Sequence, residues 1–184
     1  SIYEENIRQY SPEGTFNAFS KDLPRIQAMG VDIIWLMPIH PIGLKNRKET
    51  EESLGSYYSV QNYKKVNPNF GTEEDFRTLV KQAHELGLKV IIDWVANHSA
   101  WDNPWTENPD WYELDEEGNF TPPRGTDWTD VIQLNYENED MRAAMLDALE
   151  YWVREFDIDG YRSDVAGMVP TDFWVNAHES LDQI

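Results

Sequence analysis

Two short, nearly continuous apolar runs constrain this chain more than any other feature. One is Val31-Asp32-Ile33-Ile34-Trp35-Leu36-Met37; the other is Lys89-Val90-Ile91-Ile92-Asp93-Trp94-Val95. A strand wetted on one face alternates apolar and polar side chains, whereas a strand covered on both faces reads as a continuous run. Each run follows a stretch of helical spacing. Phe16, Phe19, Leu23, Ile26 and Met29 precede the first, with Pro24 near the start of the second part of that stretch and Gly30 as its stop signal. Phe76, Leu79, Val80, Ala83 and Leu86 precede the second, opened by Thr72 and Asp75 at capping-box spacing and closed by Gly87. A third stripe, from Met141 through Met145, Leu149 and Trp152 to Phe156, leads into another short strand containing Arg162 and Asp164. Residues 2–10 read as a strand, and a last helix is expected from near Pro170 to Ile184. Strands alternating with helices predict an α/β fold, a parallel sheet joined by right-handed crossovers.

Two connections break this rhythm. Residues 38–69 form a polar loop, charged from Lys45 to Glu52. Residues 99–135 form an irregular insertion with Asn103-Pro104, Asn108-Pro109 and Pro122-Pro123, and with Trp101, Trp105, Trp111 and Trp128. Long insertions of this kind are more often functional than accidental. The tryptophans could line a glycan groove, and they serve equally well as the core of a small subdomain. The formal net charge of −19 argues against nucleic acid or an anionic membrane as partner and favours neutral ligands. With no Cys, neither a disulfide framework nor a thiolate metal site can form, and cysteine usage fixes no compartment. No apolar run approaches the length of a membrane span. The chain opens directly within a strand at Ser1-Ile2-Tyr3, which reads as part of a longer protein.

Chemistry gathers at two expected strand tips. Arg162 and Asp164 stand two residues apart, a spacing that puts both on one face of a strand. The guanidinium then favours an ionised carboxylate. Such a carboxylate can attack the anomeric carbon of a sugar. Alone, the pair fits a structural salt bridge equally well. Asp93, Asn97 and His98 stand at the end of the neighbouring strand, however, and parallel neighbours bring their tips to one rim.

At these residues the chain resembles the α-amylase family, glycoside hydrolase family thirteen. Asp93-Trp94-Val95-Ala96-Asn97-His98 resembles its third-strand motif, and Gly160-Tyr161-Arg162-Ser163-Asp164 resembles its nucleophile strand. Trp35-Leu36-Met37-Pro38-Ile39-His40-Pro41 is similar to its second-strand motif. Ser56-Tyr57-Tyr58-Ser59, continuing to Asn67-Pro68-Asn69-Phe70-Gly71, is similar to the loop that follows, and Trp128 to Asn135 is similar to the motif ending its inserted domain. The likeness covers the chain from Ile2 to Ile184, with the motifs in family order.

The resemblance implies a partial (β/α)8 TIM barrel over residues 1–184: strands one to four with their helices, and a domain B-like insertion at 99–135 after strand three. It implies a retaining hydrolase of α-1,4-glucosidic bonds in starch or maltooligosaccharides. Asp164 would be the nucleophile, Arg162 would hold it ionised and aligned, and Asp93 would fix Arg162. His98 would bind sugar hydroxyls and Tyr58 would stack under the ring. Asn97 matches a position that often ligates Ca²⁺ in the family, but Gln133 stands where the family usually has Asp, so the donor set lacks a charge there. Glu5 is a second departure, in a strand that is usually apolar at that point.

The resemblance also requires a general-acid Glu after strand five and a His-Asp pair after strand seven. These would belong to a C-terminal half of the barrel, the partner this segment lacks. The segment alone is therefore expected to be nearly inactive and, with open sheet edges, to self-associate. A non-catalytic glycan-binding or interaction module built on a half barrel is the competing reading. The intact Asp164, Arg162, Asp93 and His98 favour the enzyme, because a pure binder has no need of a nucleophile.

Overall fold

The computed structural model describes residues 1–46 and 55–184; Arg47, Lys48, Glu49, Glu51 and Glu52 of the expected charged loop lie outside the described residues. Four parallel strands form one sheet in the order β1-β2-β3-β6. They are β1 (Ile2–Glu5), β2 (Ile33–Leu36), β3 (Lys89–Trp94) and β6 (Gly160–Ser163). Neighbours in space follow their order along the chain, apart from the insertion that carries β4 (His98–Ala100) and β5 (Val131–Gln133). Register runs straight across: Trp35 lies beside Ile91, and Ile91 beside Gly160.

The apolar runs fold as strands as expected, but among the described residues only one of their two faces is fully covered. Ile34, Leu36, Val90, Ile92 and Trp94 point toward the helices and are buried. The opposite face carries Ile33, Trp35, Ile91 and Arg162, all half-buried, with Asp93 buried among them. The helices are α2 (Phe16–Ser20), α3 (Leu23–Ala28), α4 (Glu73–Glu85), α5 (Glu139–Phe156) and α6 (Thr171–Leu181), after a single turn, α1 (Ile7–Tyr10). α4 packs on α2 and β3, and α5 packs on α6.

The expected stripes are largely the buried faces of their helices, including Phe76, Leu79, Val80 and Ala83 on α4; the first is divided between α2 and α3, and its last member, Met29, caps α3 and is exposed. The capping box is present: the Asp75 amide donates to Thr72 Oγ1 at 3.1 Å, and the Thr72 amide donates to Asp75 Oδ2 at 2.9 Å. The expected first strand is shorter than residues 2–10. Asn6 ends it by accepting the Arg8 amide on its side chain at 3.1 Å, so Ile7–Tyr10 turns into α1. The insertion is also more regular than its composition implies, since β4 and β5 pair antiparallel with His98 opposite Gln133.

Candidate active site

The loop after β2 is pinned before it reaches the sheet's rim. Ile42 bridges Val60, and the Ala100 amide donates to the Val60 carbonyl at 3.0 Å. Gly43 is required at this crossing: a Cβ there would lie 2.4 Å from the Cβ of Ala100. The Tyr63 hydroxyl lies 2.8 Å from the Val95 carbonyl oxygen and 2.7 Å from that of His98, its one proton shared between them, and so ties the loop to the end of β3. Tyr58 is thereby held over the tips of β3 and β6, and its hydroxyl donates to Asp93 Oδ2 at 3.1 Å.

Asp93 is fully buried near the end of β3. Its Oδ1 accepts Arg162 Nη1 at 3.0 Å, and its Oδ2 also accepts the indole N–H of Trp35 at 3.3 Å. Burial raises the Asp93 carboxyl above the usual range, while the Arg162 charge and the Tyr58 hydroxyl pull it back down. Burial disfavours the Arg162 charge, but its contacts with Asp93 and Asp164 outweigh that and hold the guanidinium protonated. The Trp35 ring lies 5.3 Å from the guanidinium carbon, so Arg162 is held by this ring as well as by its two carboxylate partners.

Arg162 Nη1 also donates to Asp164 Oδ1 at 3.0 Å. Asp164 stands one residue past β6, and its amide donates to the Trp94 carbonyl at 2.8 Å. The sequence places Arg162 and Asp164 on one strand face; the structure brings them together across the strand end instead. Val165 follows in the left-handed region, φ 42° and ψ 42°, where a β-branched side chain is strained.

Asp164, Tyr58 and His98 face a cavity of about 520 Å³, completed by Trp128, Asp130 and Val165. The His98 ring is 5.7 Å from that of Trp128. Its Nδ1 lies 3.2 Å from the side-chain nitrogen of Asn97, which can only donate, so the ring proton sits on Nε2. Burial lowers its pKa to about 4, which leaves a neutral imidazole N–H donor near neutral pH. A second, larger cavity of about 820 Å³ lies between the insertion and the starts of α5 and α6. Its arginines are already engaged, Arg124 with Glu113 and Arg142 with Asp172, each at 2.6 Å. The smaller cavity is the one that brings Asp164 together with Tyr58 and His98.

Asn97 is not on that cavity. Its side-chain oxygen accepts the Gln133 amide nitrogen at 3.0 Å. Among the described residues no group of three or more His, Asp or Glu gathers as a metal site. With its one side-chain oxygen bonded to an amide and no carboxylate beside it, the Asn97 environment does not fit calcium.

Glu5 is half-buried at the end of β1, where burial raises its carboxyl and the Asn6 amide, donating at 2.9 Å, lowers it. The residues missed by sequence reasoning are Trp35, Asp130 and Val165, whereas of the four insertion tryptophans that could line a groove it is Trp128 that stands on the cavity wall. Trp35 shares the sheet face of Asp93 and Arg162 only through the register of β2, β3 and β6, which no local signal gives.

The sequence model of the α-amylase catalytic domain matches residues 4–128 and 125–182. The chain is 33% identical over 180 residues to an α-1,4-glucan:maltose-1-phosphate maltosyltransferase of Rhodospirillum rubrum, covering 88% of this chain and 26% of that protein. It is 30% identical over 190 residues to the α-amylase MalA of Haloarcula japonica, covering 97% and 27%. The crystal structure of an α-amylase from Lactobacillus plantarum superposes with a TM-score of 0.93 at 44% identity, covering 99% of this chain and 42% of that one. The chain thus spans about a quarter of the length of these curated relatives, and its sheet is an arc of their (β/α)8 barrel. An Arg-bridged carboxylate pair on that arc, together with a catalytic-domain match over most of the chain, places this protein in the α-amylase family.

Proposed function

We propose that these residues form the nucleophile half of a retaining α-glucan hydrolase site. A single observation carries the reading: Arg162 Nη1 bridges Asp93 Oδ1 and Asp164 Oδ1, at 3.0 Å each, beside a cavity with Tyr58 and His98 on its walls. Arg162 holds one oxygen of Asp164, leaving Oδ2 to attack. Asp93 acts on Asp164 only through Arg162, as a positioning residue. The neutral His98 donates its Nε2 proton to a hydroxyl of the sugar, and Tyr58 offers a ring face beneath it.

In the first step Asp164 Oδ2 forms a bond to the anomeric carbon as the bond from that carbon to the leaving oxygen breaks. The leaving oxygen takes a proton from a carboxylic acid that stands about 5–5.5 Å from the nucleophile in retaining enzymes. Water, giving one proton back to that residue, then attacks the anomeric carbon, breaks the glycosyl ester and returns Asp164 as a carboxylate. The acid belongs to the part of the barrel beyond these four strands. The substrate class is α-glucan or maltooligosaccharide, in line with the named activities of the relatives. Residues 99–135 serve as the inserted subdomain, whose Trp128 and Asp130 wall the cavity.

Asp164→Asn in the full-length protein tests this reading. Turnover of starch and maltooligosaccharides is expected to fall on the order of 10⁴-fold or more in kcat. A fluorinated maltosyl fluoride should leave a glycosyl adduct on the Asp164 peptide, read by mass spectrometry. Near-normal turnover by the variant, or an adduct on another carboxylate, refutes the assignment.

A further inference from the structure

Where the end of β3 meets the insertion, three oxygens converge on one nitrogen. The side-chain nitrogen of Gln133 lies 2.9 Å from the Asn97 carbonyl oxygen, 3.0 Å from Asn97 Oδ1 and 3.1 Å from the Leu134 carbonyl oxygen. Asn97 and Gln133 are 1% and 6% exposed. Oxygens gathered from separate segments of chain are the donor set that hard cations take. Here an amide fills the centre, its two hydrogens shared among three acceptors. The orientation of that amide is fixed by chemistry. Turned over, it would set an oxygen against three other oxygens and take the amide donor away from Asn97 Oδ1 and the Leu134 carbonyl. The pairing also runs the other way, with the Asn97 side-chain nitrogen 3.4 Å from Gln133 Oε1, and the Leu134 amide donates to the Asn97 carbonyl at 3.1 Å.

We propose that the Gln133 amide takes the place of a divalent cation at this junction, so that the insertion is clasped to the barrel without metal. Asn97 immediately precedes β4 and Gln133 ends β5, so the clasp closes the same end of the ribbon that the ladder pairs. Asp130 and Val131 lead directly into Gln133 and stand on the cavity wall. The clasp therefore positions one side of the site, whatever reaction occurs there.

The test is hydrogen–deuterium exchange of the full-length protein, read on peptides covering residues 97–100 and 131–134, with calcium and with EGTA. Wild type is expected to exchange at the same rate in both conditions. Gln133→Glu keeps the shape but replaces the donor with a carboxylate oxygen, making the cluster four oxygens and a negative charge. Its exchange over these segments should rise at least about tenfold in EGTA and return toward wild type with calcium. Wild-type exchange here that accelerates on chelation overturns the proposal, and so does a Glu variant protected like wild type in EGTA. If the Glu variant yields no folded protein, Gln133→Met supplies the second arm, since it keeps the length and removes both donors. It should exchange faster to the same degree with and without calcium; wild-type protection in that variant also overturns the proposal. The readout is confined to the clasp, so a metal bound elsewhere does not enter it.

Discussion

Val165 illustrates how the residue scale sets the geometry of this site. Its φ of 42° turns the chain immediately after Asp164 and puts a β-branched side chain in a region that favours glycine. Conformations of this kind cost about 1–3 kcal/mol and persist where surrounding structure holds them. Val165→Gly should therefore raise stability, by up to about 1 kcal/mol in denaturant unfolding, where Val→Gly in a strand would lower it. A loss of more than about 1 kcal/mol would show that the backbone there is not strained. Asp93 shows the same scale from the opposite side. Its burial opposes its charge, and three donors, from Arg162, Tyr58 and Trp35, keep it satisfied. Sequence reasoning singled out Arg162 and Asp164 by their spacing and Asp93 by its place at the neighbouring strand tip, and it drew their roles from the family resemblance. It missed Trp35 because nothing local says that an indole on β2 will donate to a carboxylate on β3.

At the scale of elements, periodicity and capping decide most of the outcome. The stripes on α4 and α5 are both buried faces, because a 3.6-residue repeat of apolar side chains has a single way to leave water. The capping box of Thr72 and Asp75 starts α4 where the sequence places it. Thr72→Ala removes an acceptor for the Asp75 amide, and should cost about 1 kcal/mol in thermal or denaturant unfolding with the fold unchanged. No measurable loss would mean that tertiary packing alone defines this helix end. The misreading of residues 2–10 has a physical origin at the same scale. Ile7 and Tyr10 have strand-compatible side chains, but the Asn6 cap stabilises a turn, and Tyr10 packs against Phe19 at 4.9 Å from within it. In the insertion the composition reads as irregular, yet β4 and β5 pair, since their ladder is made between segments distant in sequence.

For the molecule as a whole, the sheet is an arc. Among the described strands β1 and β6 each pair on one side only, and Ile2 on β1 is 61% exposed. The inner face carries Ile33, Trp35 and Ile91, which lack the cover that the outer face receives from helices. Open edges and half-covered apolar faces template self-association. Residues 1–184 produced alone should therefore form dimers or larger species by size-exclusion chromatography with light scattering, and co-expression of the complementary half barrel should suppress them. A stable monomer at micromolar concentration would contradict this.

Local order along the chain was sufficient to identify parallel α/β architecture, most of the buried helix faces and the cap of α4. Each of these depends on spacing over a few residues, and spacing is written directly in the sequence. Folding was needed to bring Trp35 under Arg162, to strain Val165 and to seat the Gln133 amide among the oxygens of Asn97 and Leu134. Those arrangements join segments tens of residues apart, and their partners are selected by which buried donors and acceptors meet once the core has closed.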